Sequence, residues 1–345
     1  MKLSHLLFIL ALANTYSCSV TLSGESVKNP DNETEGTITE KESPAEELKN
    51  DETEIASTEP ETPPTPQTYE LAPGVQKFCN EMKKKFAEYR WGEPRCEEFK
   101  WHHVRNSNLG TPLIWTSFGE EKDPKASANT TLVMCGVHGD EITPIKFCWD
   151  LMRELKNHQF HDKQVIIAPL VAPDSFFKTR PTRTNGRGVD VNRNFPTRDW
   201  QAHAHQKWKQ NTRGDKRKYP GPHAASEQET IFQMNLIIRY NPNKVISVHS
   251  PLTILDYDGP SLKADKGQSA LQLLEEMSRR SSGYKISNYP IFPGSLGNWA
   301  GKERHIPTYT LELPNSNPAH TDKFWELFKD AILYAIDTKM GPVLD

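Results

Sequence analysis

The chain has 345 residues, with 42 basic and 45 acidic side chains and 35% hydrophobic residues, enough for a core only if part of it stays outside. It carries no internal repeat, no aromatic RNA-binding signature and no zinc-finger cysteine spacing, which argues against nucleic acid as a partner. The near-neutral total conceals two segments of opposite charge.

Residues 1–18, MKLSHLLFILALANTYSC, hold one lysine and an uninterrupted apolar run from Leu6 to Ala13. That run is too short to span a bilayer and predicts a secretory signal. Ala11-Leu12-Ala13 offers a small-residue cleavage site, whereas Ser17-Cys18 offers a lipoprotein-type site at which Cys18 would carry the lipid; both outcomes export the chain. Residues 19–72 hold 14 acidic and 3 basic side chains with many Thr, Ser and Pro, a composition that cannot bury enough apolar surface to offset chain entropy and predicts a disordered acidic linker. From residue 73 to 345 the count is 38 basic against 31 acidic. This basic folded domain favours an anionic partner, a solvated basic face being the plainer alternative.

At the domain's start, Cys79 and Cys96 bracket a short charged helical segment and suit a disulfide in an exported protein. Cys135 and Cys148 read as buried small hydrophobes, a bridge between them left open. From residue 111 onward, TPLIWTSFG, TLVMCGV, QVIIAPLV, KVISVHS and TYTLEL read as strands. Between and after them, TPIKFCWDLMRELK, ASEQETIFQMNLIIRY, SALQLLEEMSRRS and TDKFWELFKDAILYAID have apolar residues at helical spacing. The order implies an α/β fold, a mostly parallel mixed sheet flanked by helices.

Polar residues that interrupt this pattern sit at strand ends, where open sheets build their sites. His138 and Glu141 follow TLVMCGV, His249 ends KVISVHS, and Glu312 lies between Leu311 and Leu313 in an apolar strand. Each alone reads as a satisfied loop or core group. Together, His138, Glu141 and His249 form a three-ligand zinc set, and Glu312 supplies a carboxylate able to take a proton from the attacking water and deliver it to a leaving amine. In VAPDSFFKTRPTRTNGRGVDVNRNFPTRDW, Arg180, Arg183, Arg187 and Arg193 cluster in one loop. Guanidinium groups grip carboxylates in a bidentate way, which suits an anionic peptide end.

The strings HGDE, RTNGRGVDVNRNFP, a strand ending in VHS, and PGSLGNWAGKERHIPTYTLELP resemble, in that order, the zinc carboxypeptidase family over roughly residues 110–335. HSPLTILDYDGP and FPGSLGNW look most like its bacterial murein tripeptide amidase branch. The resemblance implies one Zn2+ held by His138, Glu141 and His249, Glu312 as catalytic carboxylate, and Arg183 at the scissile carbonyl. It further implies Asn192 and Arg193 on the substrate's terminal carboxylate, Asp190 orienting the first histidine, and Tyr289 over the substrate. Leu296 and Gly297 fall near the specificity pocket. Asp256 and Asp258 either meet a substrate ammonium or cap a turn, the turn being the commoner use of Asp-x-Asp-Gly. His102, His103, His203, His205 and His223 read as surface histidines.

The resulting expectation is a monomeric exported zinc amidase, periplasmic or held at a bacterial membrane through lipid on Cys18. It would cut peptidoglycan-derived peptides between γ-D-glutamate and diaminopimelate. The alternatives are a carboxypeptidase on protein C-termini or an N-acyl amino acid acylase, and, in another class, a noncatalytic wall-binding lipoprotein.

Overall fold

A computed structural model describes residues 67–119, 129–261 and 265–340, with backbone alone for 265–268. The expectations for residues 1–18, and for 19–72 up to residue 66, lie outside the described residues. Among the described residues no helix is long and apolar enough to cross a membrane.

Seven strands form one sheet in the order β1-β2-β4-β3-β5-β7-β6. They are β1 Trp101–Asn106, β2 Pro112–Gly119, β3 Asn129–Met134, β4 Lys163–Ala168, β5 Lys244–His249, β6 Ile254–Gly259 and β7 Thr308–Glu312. β4, β3, β5 and β7 run parallel, while β1, β2 and β6 pair antiparallel at the edges. The parallel centre is what the unbroken apolar runs predict, because β3 and β5 are buried along their whole length and need apolar side chains on both faces.

The two faces are filled by alternate residues. Val133, Ile167, Ile246 and Val248 pack with residues of α1 (Pro73–Tyr89), α2 (Ile142–Leu155), α6 (Asp265–Arg280) and α7 (Thr321–Asp337). Leu132, Ile166 and Val245 face the other way, onto Phe195, Trp299, and Phe232 and Leu236 of α5 (Gln228–Tyr240). Between β4 and α5 the chain forms the short α3 (Pro173–Phe176), the arginine loop and α4 (Trp200–Thr212).

Both disulfides form. Cys79–Cys96 ties α1 to the segment that follows it. Cys135 and Cys148, the pair left open, are also bridged; Cys135 stands just past β3, Cys148 lies on the face of α2 against the sheet, and their Cα atoms are 6.2 Å apart, within disulfide reach. Two strands and a helix escape the sequence pattern. β1 is a half-exposed edge strand, β6 carries carboxylates on one face, and α4 is only weakly amphipathic.

What matters for the site is strand order. β3, β5 and β7 are adjacent and parallel, so His138 beyond β3, His249 at the end of β5 and Glu312 at the end of β7 emerge side by side. His249 and Glu312 are direct register partners.

Candidate active site

A cleft of about 380 Å³ opens at these strand ends and is lined by His138, Glu141, Arg183, Asn192, Arg193, His249, Asp256, Tyr289 and Glu312. Every cleft residue expected from the sequence is therefore brought together. Asp190 lies behind them, fully buried against His138. The arginine cluster divides: Arg183 and Arg193 reach the cleft, whereas Arg180 and Arg187 stay exposed outside it. His102, His103, His203, His205 and His223 are partly or fully exposed.

Ligand atoms of His138, Glu141 and His249 all lie within 4.8 Å of one another. His138 Nδ1 is 2.7 Å from one Glu141 oxygen and His249 Nδ1 is 2.8 Å from the other. The opposite ring nitrogens are engaged elsewhere, His138 Nε2 with Asp190 Oδ1 at 3.0 Å and His249 Nε2 with Ser247 Oγ at 2.8 Å. With Nε2–H donated to Asp190, the His138 Nδ1 lone pair points at a carboxylate, an arrangement that is repulsive unless a proton or cation lies between them. Two imidazole nitrogens and a carboxylate are the donor set zinc takes when a position is kept open, so these residues fit the metal.

The charges around this centre reinforce one another. Burial disfavours ionised Glu141, yet the two imidazoles hold its carboxyl far below the usual range. For Asp190 burial is again outweighed, by Arg183 and His138. Arg183 donates from Nε to Asp190 Oδ2 at 3.0 Å and from Nη1 to Glu141 Oε1 at 3.1 Å, which leaves Nη2 as the guanidinium nitrogen with no partner among the described residues. Burial raises the Glu312 carboxyl, with Glu141 adding and His249 opposing; one of its oxygens accepts from the backbone N–H of Leu252 at 3.2 Å.

On the other side of the ligands the cleft deepens towards β6. Asn192 Oδ1 accepts from Leu296 N at 2.8 Å, so its amide N–H groups are the ones turned to the cleft. Arg193 lies over the Phe292 ring at 4.3 Å. Asp256 and Asp258, two apart on β6 with a register shift between Tyr257 and Gly259, both line the cleft. Asp258 accepts from Thr310 Oγ1 at 3.0 Å, and burial, with Asp256 adding, pushes it up to about 7; burial raises Asp256 as well. Gly297 makes this possible, since a Cβ there would sit 2.3 Å from Asp258 Cγ. Asp-x-Asp-Gly is thus a strand entering the cleft wall and not merely a turn.

Arg217 and Lys218 also line the cleft, Arg217 pairing with Asp140 at 2.8 Å. Neither stands out in the sequence, because they come from a short polar segment with no apolar periodicity.

Residues 97–331 match the family described as zinc carboxypeptidase. The murein peptide amidase A of Escherichia coli strain K12 is 31% identical over 216 residues, covering 61% of this chain and 80% of that protein. Its namesake in Vibrio campbellii is 30% identical over 232 residues, covering 66% and 83%. Among solved structures, the carboxypeptidase A of Helicoverpa armigera aligns with a TM-score of 0.56 at 18% identity, covering 76% of this chain and 72% of its own, a likeness of fold.

Proposed function

The chain belongs to the zinc carboxypeptidase family, is a zinc metallopeptidase, and on that footing we propose that it is exported and hydrolyses peptidoglycan-derived peptides between γ-D-glutamate and diaminopimelate. Its murein peptide amidase relatives support the substrate class. The single observation that carries the finer reading is the pair of carboxylates in the same cleft as Arg193, Asp256 buried and Asp258 half-buried beside it. Two neighbouring carboxylates withdrawn from water to this extent, with so little cationic compensation, are costly. Meso-diaminopimelate has a carboxylate next to the scissile amide and, at its far end, an ammonium that would offset that cost.

In this reading Arg193 and Asn192 hold the carboxylate next to the scissile amide, while Asp256 and Asp258 receive the distal ammonium. Tyr289, exposed at the rim, covers the bound residue. Zinc, when bound to His138, Glu141 and His249, supplies Lewis acidity to the reaction. Arg183 presents Nη2 to the scissile carbonyl oxygen, where charge develops. Glu312 takes a proton from the attacking water and passes it to the departing nitrogen. Asp190 fixes the tautomer and ring direction of His138.

Incubating the zinc-loaded protein with L-alanyl-γ-D-glutamyl-meso-diaminopimelate and weighing the products tests the reading. Release of free diaminopimelate is the expected result. Intact tripeptide alongside rapid hydrolysis of ordinary C-terminal peptides would assign the protein to general carboxypeptidase activity instead.

A further inference from the structure

The loop that carries Arg183, Asp190, Asn192 and Arg193 has little regular structure, only a three-residue helical turn at Val191–Arg193. Something else must hold four charged or polar groups in place. A buried polar cluster lies beneath the loop, outside the cleft lining.

Asn185 is 1% exposed, and Glu227 and Glu229 at the start of α5 are both fully buried. Asn185 Nδ2 donates to Glu227 Oε2 at 2.8 Å and to Glu229 Oε2 at 2.9 Å. Its Oδ1 accepts from the backbone N–H of Arg187 at 3.0 Å and of Val189 at 3.1 Å. One side chain therefore spends both its polar ends joining the loop to the helix. Glu227 also accepts from Asn108 Nδ2 at 3.0 Å and from Ser226 Oγ at 2.7 Å. At the loop's far end Asn194 Oδ1 accepts from the Glu227 N–H at 3.1 Å, and Thr230 Oγ1 donates to Val191 O at 3.1 Å. The anchored stretch, residues 185–194, begins just after Arg183 and contains Asp190 and the substrate-binding pair.

We propose that Asn185 and Glu227 are positioning residues: through their buried amide–carboxylate contact they hold the arginine loop so that Asp190 meets His138 and Arg193 faces the cleft. Neither residue lines the cleft, so both act through the loop. Where the proposal concerns Arg193 and Asn192 it rests on the functional reading above. Its effect on Asp190 does not, because the His138–Asp190 contact bears on the metal site whatever the substrate.

The test uses the full chain and two readouts that need no substrate: zinc affinity, by equilibrium competition with a chelator, and hydrogen exchange over residues 183–194. Asn185→Asp keeps the shape and the acceptor but turns a carboxylate towards Glu227 and Glu229. It is expected to weaken zinc binding by about tenfold or more, the usual effect of losing a ligand-orienting partner, and to speed exchange in the loop. Adding Glu227→Gln restores a donor opposite the new acceptor and should recover most of the loss. Asn129→Ala, which removes a buried amide at the opposite end of the sheet, should lower the melting temperature and leave zinc affinity within about twofold, well short of the effect of losing a ligand-orienting partner. If Asn185→Asp does not fold, Asn185→Ser, which shortens the arm without adding charge, is judged by the same readouts. A folded Asn185 variant with wild-type zinc affinity and an unchanged loop exchange pattern would overturn the proposal. Failure of the wild type to cleave the tripeptide would instead count against the functional reading alone.

Discussion

The two ends of the parallel strands treat buried charge in opposite ways. At the N-terminal end Lys244 opens β5, fully buried, with Nζ donating to Asn129 Oδ1 at 2.6 Å and to Thr338 O at 2.7 Å. Asn129 in turn donates to the carbonyl of Ile336 at 2.9 Å. The last carbonyl groups around the end of α7 thus find donors. At the C-terminal end Glu141, Glu312 and Asp256 are also buried and Asp258 half-buried, but they face a cleft, and two imidazole lone-pair sites converge on one carboxylate. One end meets its polar demands from within; the other leaves them for a metal and a substrate. Activity and stability should therefore separate between the two ends.

The largest separation is expected at Glu312. Glu312→Gln should lower kcat by about 10³-fold, the usual scale for a lost general base, with zinc affinity and melting temperature retained because the isosteric amide also relieves a buried charge. Steady-state kinetics with zinc stoichiometry check this, and wild-type turnover in the zinc-loaded variant would remove Glu312 from the chemistry.

The reverse pattern is expected at Lys244. Burial lowers its pKa from 10.5 to about 7, whereas the unfolded chain keeps the proton up to the ordinary lysine value. Between those two pH values the unfolded state binds more protons, so this residue makes stability rise with pH. Lys244→Met should flatten that part of the stability profile and, by leaving Asn129 Oδ1 and Thr338 O without a donor, cost on the order of 1–3 kcal/mol. Denaturant melts across the pH range, with kcat/KM measured beside them, check that the slope changes while activity of the folded protein does not.

The same contrast explains what was legible in the sequence. Buried parallel strands need apolar residues on both faces, so β3, β4, β5 and β7 stand out as apolar runs, and the polar residues at their ends stand out against them. That is why His138, Glu141, His249 and Glu312 are readable. β6 is not, because the residues it turns to the cleft, Asp256 and Asp258, break the apolar pattern and imitate a turn. Asn185 and Glu227 escape for a related reason: an Asn in a glycine-rich loop and a Glu before a helix look solvated, and only the packing of α5 beneath the loop buries them. The Cys135–Cys148 bridge likewise depends on how close α2 lies to the end of β3, a distance that spacing along the chain does not contain.

If a substrate bringing both a carboxylate and an ammonium completes the open end of the sheet, the distal ammonium must count in turnover. The decisive comparison is kcat/KM for L-alanyl-γ-D-glutamyl-meso-diaminopimelate and for the same tripeptide ending in 2-aminopimelate, which lacks the distal ammonium, in the wild type and in Asp258→Asn. The wild type should prefer the ammonium-bearing peptide by about tenfold or more, as a polar partner left unpaired demands, and Asp258→Asn should lose that preference. Equal wild-type rates on the two peptides, or a preference that survives Asp258→Asn, would contradict that role of the ammonium.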